Sequence, residues 1–330
     1  KAAGDAVLSE NQRAWRVRAA LRAENWYEVK IGIAAMPPEQ QNLSAWRYWK
    51  ARALKALGHT AEADVVFAEL GRAYDYYGQL ALEELGKTTG AWAFTERFVP
   101  DETVALHDFH LRYPAPYRDA LQTPLQEHDV EEAWVYGLMR QESRFVTHAK
   151  SEAGAIGLMQ IMPDTARWAA QRLGLKGYRK GMMHQLDLNL RLGTSYMKSV
   201  YSRFDDNPVL ASAAYNAGPT RAKKWRANRP LEGAIYIETI PFDETRDYVR
   251  KVMSNTIYYA RLFGHSDETL KQRLGVIEGK VPAVAADERE RFTNLLCRWR
   301  GARPPARPAG AGPRLGGSRQ HAGRNGRARL

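Results

Sequence analysis

Apolar residues in this chain recur every three or four positions and hardly ever every second one. Trp134, Leu138 and Glu142 follow one another at i, i+4 and i+8 with Val135 and Met139 alongside, and Leu188, Leu192, Tyr196 and Val200 form a second such row. Tyr248, Val252 and Tyr259 mark a third. This spacing puts apolar side chains on one face of an α-helix. No segment longer than five residues alternates apolar and polar convincingly, which leaves little room for strands with one buried face. An all-α fold follows.

Helix punctuation agrees with the rows. "PDTARWAAQRLG" has Pro163 in its first turn and Gly174 as its stop, and "NPVLASAAYNAGP" opens on an Asn207 cap with Pro208 and ends at Gly218-Pro219. The last long helix runs from about Glu244 to Phe263 and is closed by Gly264, and "TLKQRLG" suits one more short helix. Nearer the N-terminus, "AWRVRAALRAENWYEVKIGIAAMP" from Ala14 and "AWRYWKARALKALGHTAEADVVFAEL" from Ala45 each read as a helix pair, with a break at Gly58 in the second. Their offset of 31 residues is near the period of helix-pair solenoids, and Trp15, Trp46 and Trp49 are expected in the core.

These signals divide the chain into a helical array over 1–86, a connection over 87–117, a helical unit over 118–265, a helical extension over 266–300 and a tail over 301–330. The connection contains "RYPAPYRD", where Pro114 and Pro116 interrupt any helix. More than half of the last thirty residues are Gly, Pro and Arg, too little apolar surface to offset ordering entropy, so the tail is expected to lack structure.

A net charge of +12 raises nucleic acid as a partner, but its location argues against it. Seven arginines and no acid lie within 301–330, leaving +5 for the first 300 residues, and arginine-rich ends are usually solvated. The single Cys297 forms no internal disulfide and no cysteine metal site. No apolar run approaches the ~20 residues that cross a bilayer. The sequence starts at Lys1 with no signal-like segment, as a processed or shortened form would.

The stretch richest in chemistry is "LMRQESRFVTHAKSEAGAIGLMQIMP", residues 138–163. Glu142 lies near the end of an apolar helical row, where burial favours the protonated carboxyl. Such a group suits general acid work near neutral pH; an ordinary carboxylate paired with Arg140 or Arg144 fits the periodicity equally well. After it, Gly154 and Gly157 bend the backbone, and Met159, Gln160 and Met162 precede the helix at Pro163. An apolar surface with one amide suits a sugar ring. "HDFH", His107 to His110, has i, i+3 spacing but no third ligand at a legible position, so no metal and no cofactor are expected.

Taken in order, "RQESRF", "SEAGAIGLMQIMP", "SAAYNAGPTR" and "IETIPFDETRDYV" resemble the catalytic domain of the soluble lytic murein transglycosylases, over about Arg112 to Gly264. The resemblance implies a lysozyme-like, all-α catalytic domain, preceded by the last turns of an α-superhelical domain and a linker. It places Glu142 at the single catalytic acid/base and gives Ser143 a part in ordering the turn. Ser151 matches a serine that contacts substrate near the cleavage point, and Gln160 and Met162 line the glycan groove. Tyr215 and Asn216 face the catalytic carboxyl, with the tyrosine hydroxyl expected close to Glu142, and Glu244 is a second acid of the cleft.

The implied partner is the glycan strand of peptidoglycan, handled in the periplasm by a monomer with at most peripheral association to the envelope. The implied reaction cleaves the β-1,4 bond from N-acetylmuramic acid to N-acetylglucosamine and leaves 1,6-anhydro ends, so water is not consumed. Two alternatives stand beside it. One is a muramidase resembling goose-type lysozyme, which adds water; the other is a wall-binding scaffold with a degenerate site.

Overall fold

The computed structural model describes residues 8–87, 111–265 and 267–280, which fold as helices apart from one two-residue ribbon. The N-terminal array comprises α1 (Glu10–Arg22), α2 (Trp26–Ala34), α3 (Pro38–Gln41), α4 (Ser44–Ala56), α5 (Thr60–Leu70) and α6 (Tyr76–Glu84). Ser9 and Gln12 cap α1 reciprocally, and the Asn25 side chain accepts the Glu28 N–H at 3.1 Å to start α2. After α4, Gly58 adopts the left-handed region at φ +90°, which is the break read from the sequence. Trp46 and Trp49 are buried as expected. Trp15 is only half-buried, because the Arg18 guanidinium lies 5.0 Å from its ring and takes the inner position on α1.

After residue 111, α7 (Arg118–His128) leads into α8 (Glu132–Glu142), and α9 (Pro163–Arg172) starts and stops where the sequence places it. A 3-10 turn, Lys180–His184, precedes α10 (Leu186–Arg203) and α11 (Pro208–Ala217). Asn207 caps α11 through the Leu210 N–H at 2.9 Å. Gly218 ends α11, but Pro219 opens a further short helix, α12 (Pro219–Trp225), where the sequence suggested only a stop. Next come β1 (Leu231–Glu232), α13 (Gly233–Glu238), α14 (Asp243–Leu262) and α15 (Leu270–Leu274), the last being the helix read in "TLKQRLG". β2 (Val276–Ile277) pairs antiparallel with β1, Leu231 opposite Ile277.

The described residues up to Lys280 form one compact unit, with α8 at its centre. The sequence presents α8 as a helix with one apolar face; in the structure every residue from Ala133 to Met139 is buried. A helix wrapped on all sides needs no polar stripe. Against α14 the backbones close up at Gly137, where a Cβ would fall 2.6 Å from the Thr256 hydroxyl. Trp134 donates to the Ser212 hydroxyl of α11 at 3.1 Å. In the second row Leu192 and Val200 are buried, while Leu188 and Tyr196 stay half-buried at the cleft.

The N-terminal array is fastened to the rest through Glu238, at the end of α13. Its buried carboxylate accepts Arg18 Nε at 3.1 Å, Trp49 Nε1 at 3.2 Å, the Tyr77 hydroxyl and Arg250. Arg52 holds Glu232 in a two-pronged pair at 2.9 Å on each prong. Glu83 of α6 accepts the Leu270 and Lys271 N–H groups at 2.7 and 2.8 Å, capping α15 from outside its own sequence. The histidines of "HDFH" and residues 281–330, tail included, lie outside the described residues.

Candidate active site

Glu142 is the last residue of α8, so its side chain leaves the core where the backbone turns away. The turn is tight: Arg144 and Phe145 both take left-handed conformations, at φ 50° and 67°. Neither is a glycine, and such positions cost roughly 1–3 kcal/mol each. Ser143 offsets part of that cost by accepting the Phe145 N–H on its hydroxyl at 3.1 Å. The rest comes from burying the Phe145 ring against Tyr136 and Tyr259.

Around the carboxyl the surroundings are aromatic. Tyr248, on α14, donates its hydroxyl to Glu142 Oε1 at 2.6 Å. Glu142 has no ion pair among the described residues: Arg140 lies 4.6 Å from the Tyr113 ring and Arg144 is exposed, so neither is the partner the periodicity allowed. Burial pushes the Glu142 carboxyl up to about 8; the Tyr248 hydrogen bond pulls it back, and the negative charge of Glu244 adds to the rise. Near neutral pH the group holds its proton while part of its surface faces the cleft.

The glycine-rich stretch builds the wall opposite. Ile156 and Ile161 exchange backbone hydrogen bonds at 3.1 and 3.2 Å, and the Gly157 N–H reaches Ala149 O at 2.8 Å. Gly157 is required twice over, since its φ is +81° and a Cβ would fall 2.3 Å from the Asn189 amide. Asn189, buried on α10, donates to Ile156 O and Met183 O at 3.0 and 2.9 Å and accepts the Met159 N–H at 3.0 Å. It satisfies backbone groups that the loop leaves unpaired.

Each residue singled out from the sequence has a definite place here. The Ser151 hydroxyl accepts the Ala155 N–H at 3.0 Å. Gln160 donates its amide to Ala149 O and Gly157 O at 3.1 and 2.9 Å, and so braces the loop. Met162 is exposed. The Tyr215 hydroxyl, expected close to Glu142, donates to Met159 O at 2.8 Å; burial raises it well above its ordinary value, and the charge of Glu142 adds to the rise. The hydroxyl on Glu142 is Tyr248's, because α14 runs along α8 and brings the phenol up from that side. Asn216 accepts the Thr245 hydroxyl at 2.7 Å, tying α11 to α14. Glu244 is exposed, one turn before Tyr248.

Sequence reasoning did not single out Tyr248 or Asn189 for the site. Tyr248 stands four residues after Glu244, on the same helix face, which is a usable signal. Asn189 has none, since its partners in the glycine-rich loop lie 30 and 33 residues away.

This chemistry consists of one protonated carboxyl, a phenol that steadies its ionised form, and a groove wall built from a braced loop. Residues 119–236 match the family model described as transglycosylase SLT domain, and residues 239–268 the one described as soluble lytic transglycosylase helical domain. The soluble lytic murein transglycosylase of Salmonella typhimurium is 29% identical over 317 residues, covering 76% of this chain and 49% of that protein. That of Escherichia coli K12 is 29% identical over 314 residues, covering 76% and 48%.

Among solved structures, an inactive mutant of lytic transglycosylase Slt from Pseudomonas aeruginosa superposes with a TM-score of 0.69 at 28% identity, covering 79% of this chain and 53% of that one. The 70-kDa soluble lytic transglycosylase of E. coli gives 0.69 at 26%, covering 81% and 53%. The chain spans about half the length of the curated relatives it matches. By sequence and by fold, residues 119–268 are similar to the soluble lytic transglycosylases.

Proposed function

We propose that the chain is a peptidoglycan lytic transglycosylase that works in the periplasm on glycan strands, with Glu142 as its acid and then its base. The observation that carries this reading is a carboxyl raised to about 8 by burial, with no ion pair among the described residues. Glycosidases with two carboxylates set them roughly 5 to 9.5 Å apart with divided roles. Here the other acid, Glu244, is exposed and acts on Glu142 through its charge.

Protonated Glu142 gives its proton to the oxygen joining N-acetylmuramic acid to N-acetylglucosamine, and the bond to C1 breaks. The substrate's own N-acetyl group stabilises the positive centre. Glu142, now ionised and held by the Tyr248 hydroxyl, takes the proton of the muramic acid C6 hydroxyl, whose oxygen closes on C1. The carboxyl is regenerated and no water enters. Met162, exposed beside the braced loop, and the acceptor oxygen left on Gln160 suit the face and rim of a sugar. Ser151, Tyr215 and Asn216 hold the groove's shape through the bonds described above, and no metal or cofactor is called on.

Support comes from relatives named for acting on murein and from the structure of the 70-kDa enzyme in complex with bulgecin A. Among the described residues no helix is long and apolar enough to cross a membrane. The test is digestion of purified sacculi followed by mass spectrometry. Muropeptides with 1,6-anhydro ends are expected; reducing ends would overturn the reading in favour of hydrolysis. Wall lysis that persists in Glu142→Gln would remove Glu142 from the mechanism altogether.

A further inference from the structure

We infer that Tyr77 and Gln79, on α6 of the N-terminal array, are positioning residues for the acid Glu142 and act on it through α14 and Tyr248. This rests on the reading of Glu142 as the group that cleaves the glycan, and it gives the array a part in that chemistry.

α14 has two working faces. Tyr248, Val252 and Thr256 follow one another at i, i+4 and i+8 and are turned to α8. Tyr248 donates to Glu142 Oε1 at 2.6 Å, and a Cβ on Gly137 would fall 2.9 Å from Val252 O and 2.6 Å from the Thr256 hydroxyl. Arg246, Arg250 and Ser254 make the row on the other side. Arg246 donates to Ile240 O at 2.7 Å, Arg250 to the buried Glu238 carboxylate, and Ser254 O accepts the Gln79 amide at 3.2 Å. Tyr77 completes the grip: its hydroxyl donates to the Glu238 oxygen that Arg250 also reaches, and its ring lies 5.1 Å from the Arg250 guanidinium. Two residues of α6 thus hold two successive turns of α14.

The two faces fix different things. A glycine opposite a helix backbone lets α14 come close to α8 but supplies no side chain to lock it lengthwise. That lock is the polar row on the far side, where the partners are buried and water does not stand in for a lost bond. A hydrogen bond weakens steeply as its length and angle depart from ideal, so a small drift of α14 along its axis is felt at the Tyr248 hydroxyl. The ionisable groups turned to Glu142 are Tyr248 and Glu244 from α14 and Tyr215 from α11, with Tyr196 of α10 beside Tyr215. None of these belongs to the N-terminal array, so α6 reaches the acid by way of α14.

The experiment follows kcat/KM against pH on soluble glycan strands, using the whole chain as wild type, Tyr77→Phe, Tyr248→Phe and the double variant. Tyr77→Phe keeps the ring over Arg250 and removes one hydroxyl. The Tyr248 bond favours the ionised carboxyl, so loosening it moves the alkaline limb upward. A rise of about half a pH unit is expected in Tyr77→Phe, read as a gain of about 2.5-fold in the ratio of kcat/KM at pH 9 to that at pH 7. KM at pH 7 should not change. In the double variant the limb should stand where Tyr248→Phe alone leaves it. A limb that stays put in Tyr77→Phe, whatever the urea midpoint does, means that α6 only braces the fold and overturns the inference. A further rise in the double variant overturns it as well, since the effect would then bypass Tyr248. Should Tyr77→Phe not fold, Gln79→Met carries the same expectation and the same refutation. If turnover survives Glu142→Gln, the reading of Glu142 fails instead. The carboxyl of Glu142, titrated by carbon-13 NMR, then decides the positioning by the presence or absence of the same rise.

Discussion

Glu142 closes α8 with one tyrosine hydroxyl on its carboxylate and no ion pair among the described residues, whereas Glu238, ending α13, is ringed by Arg18, Arg250, Trp49 and Tyr77. Burial acts on both in the same sense. At Glu142 it prevails and carries the group up to about 8. At Glu238 burial pulls upward too, but the guanidiniums of Arg250 and Arg18 outweigh it and hold the carboxyl below its ordinary value. The neighbours, not the depth, decide whether a glutamate donates a proton or anchors helices.

Their linkage to pH has opposite sign. Glu142 keeps its proton in the fold while the unfolded chain releases it near 4.5, so stability falls as pH rises from there and levels off above about 8. The ceiling on that loss is about 5 kcal/mol, at about 1.4 kcal/mol per tenfold change in proton affinity. Glu238 contributes stability above its unfolded value, and the contribution is lost as pH falls through its depressed folded value.

The contrast is broken most severely by Glu142→Gln. Turnover of sacculi should fall at least about a thousandfold, while melting at pH 8 moves upward because the amide has no proton to lose. A variant that melts earlier at pH 8 than the wild type would show that Glu142 is not held under strain. Glu238→Gln should do the reverse in stability: stripping the carboxylate from buried cations costs about 3–5 kcal/mol, read as a lower urea midpoint. An unchanged midpoint would mean that the N-terminal array is not fastened there.

Next in size is the pH profile, with kcat/KM dropping about tenfold between pH 7 and pH 9 as the acid ionises; a flat profile would contradict a donor titrating near 8. Smallest is Tyr248→Phe. Losing a hydrogen bond to the ionised form raises Glu142 further, so the alkaline limb of that profile should move up by about one pH unit. A downward move would mean that the phenol serves the protonated form.

Much of this was legible in the chain. Gly58, Gly174, Gly264 and the Asn207 cap mark helix ends by local backbone chemistry, and four motifs in order carry the likeness to the soluble lytic transglycosylases. The losses have one physical origin. Periodicity reports which face of a helix is apolar, not what lies opposite it. So α8 read as a helix with one apolar face although it is enclosed, and Trp15 read as core although Arg18 displaces it. Tyr248 went unmarked beside Tyr215, since only the packing of α14 on α8 decides which phenol bonds to Glu142. Glu238 stood inside a quoted motif and passed without notice, its partner Arg18 being 220 residues away.

The clasp at Glu238 also bears on how such a molecule could be inherited. A descendant that discarded α1 to α6 would keep a sequestered anion with Arg250 beside it but without Arg18, Trp49 and Tyr77. It would face that deficit before any benefit of a smaller gene. Residues 119–268 and the helices that brace them therefore tend to travel as one heritable block, and a free-standing relative of that segment should carry an uncharged residue where Glu238 stands here.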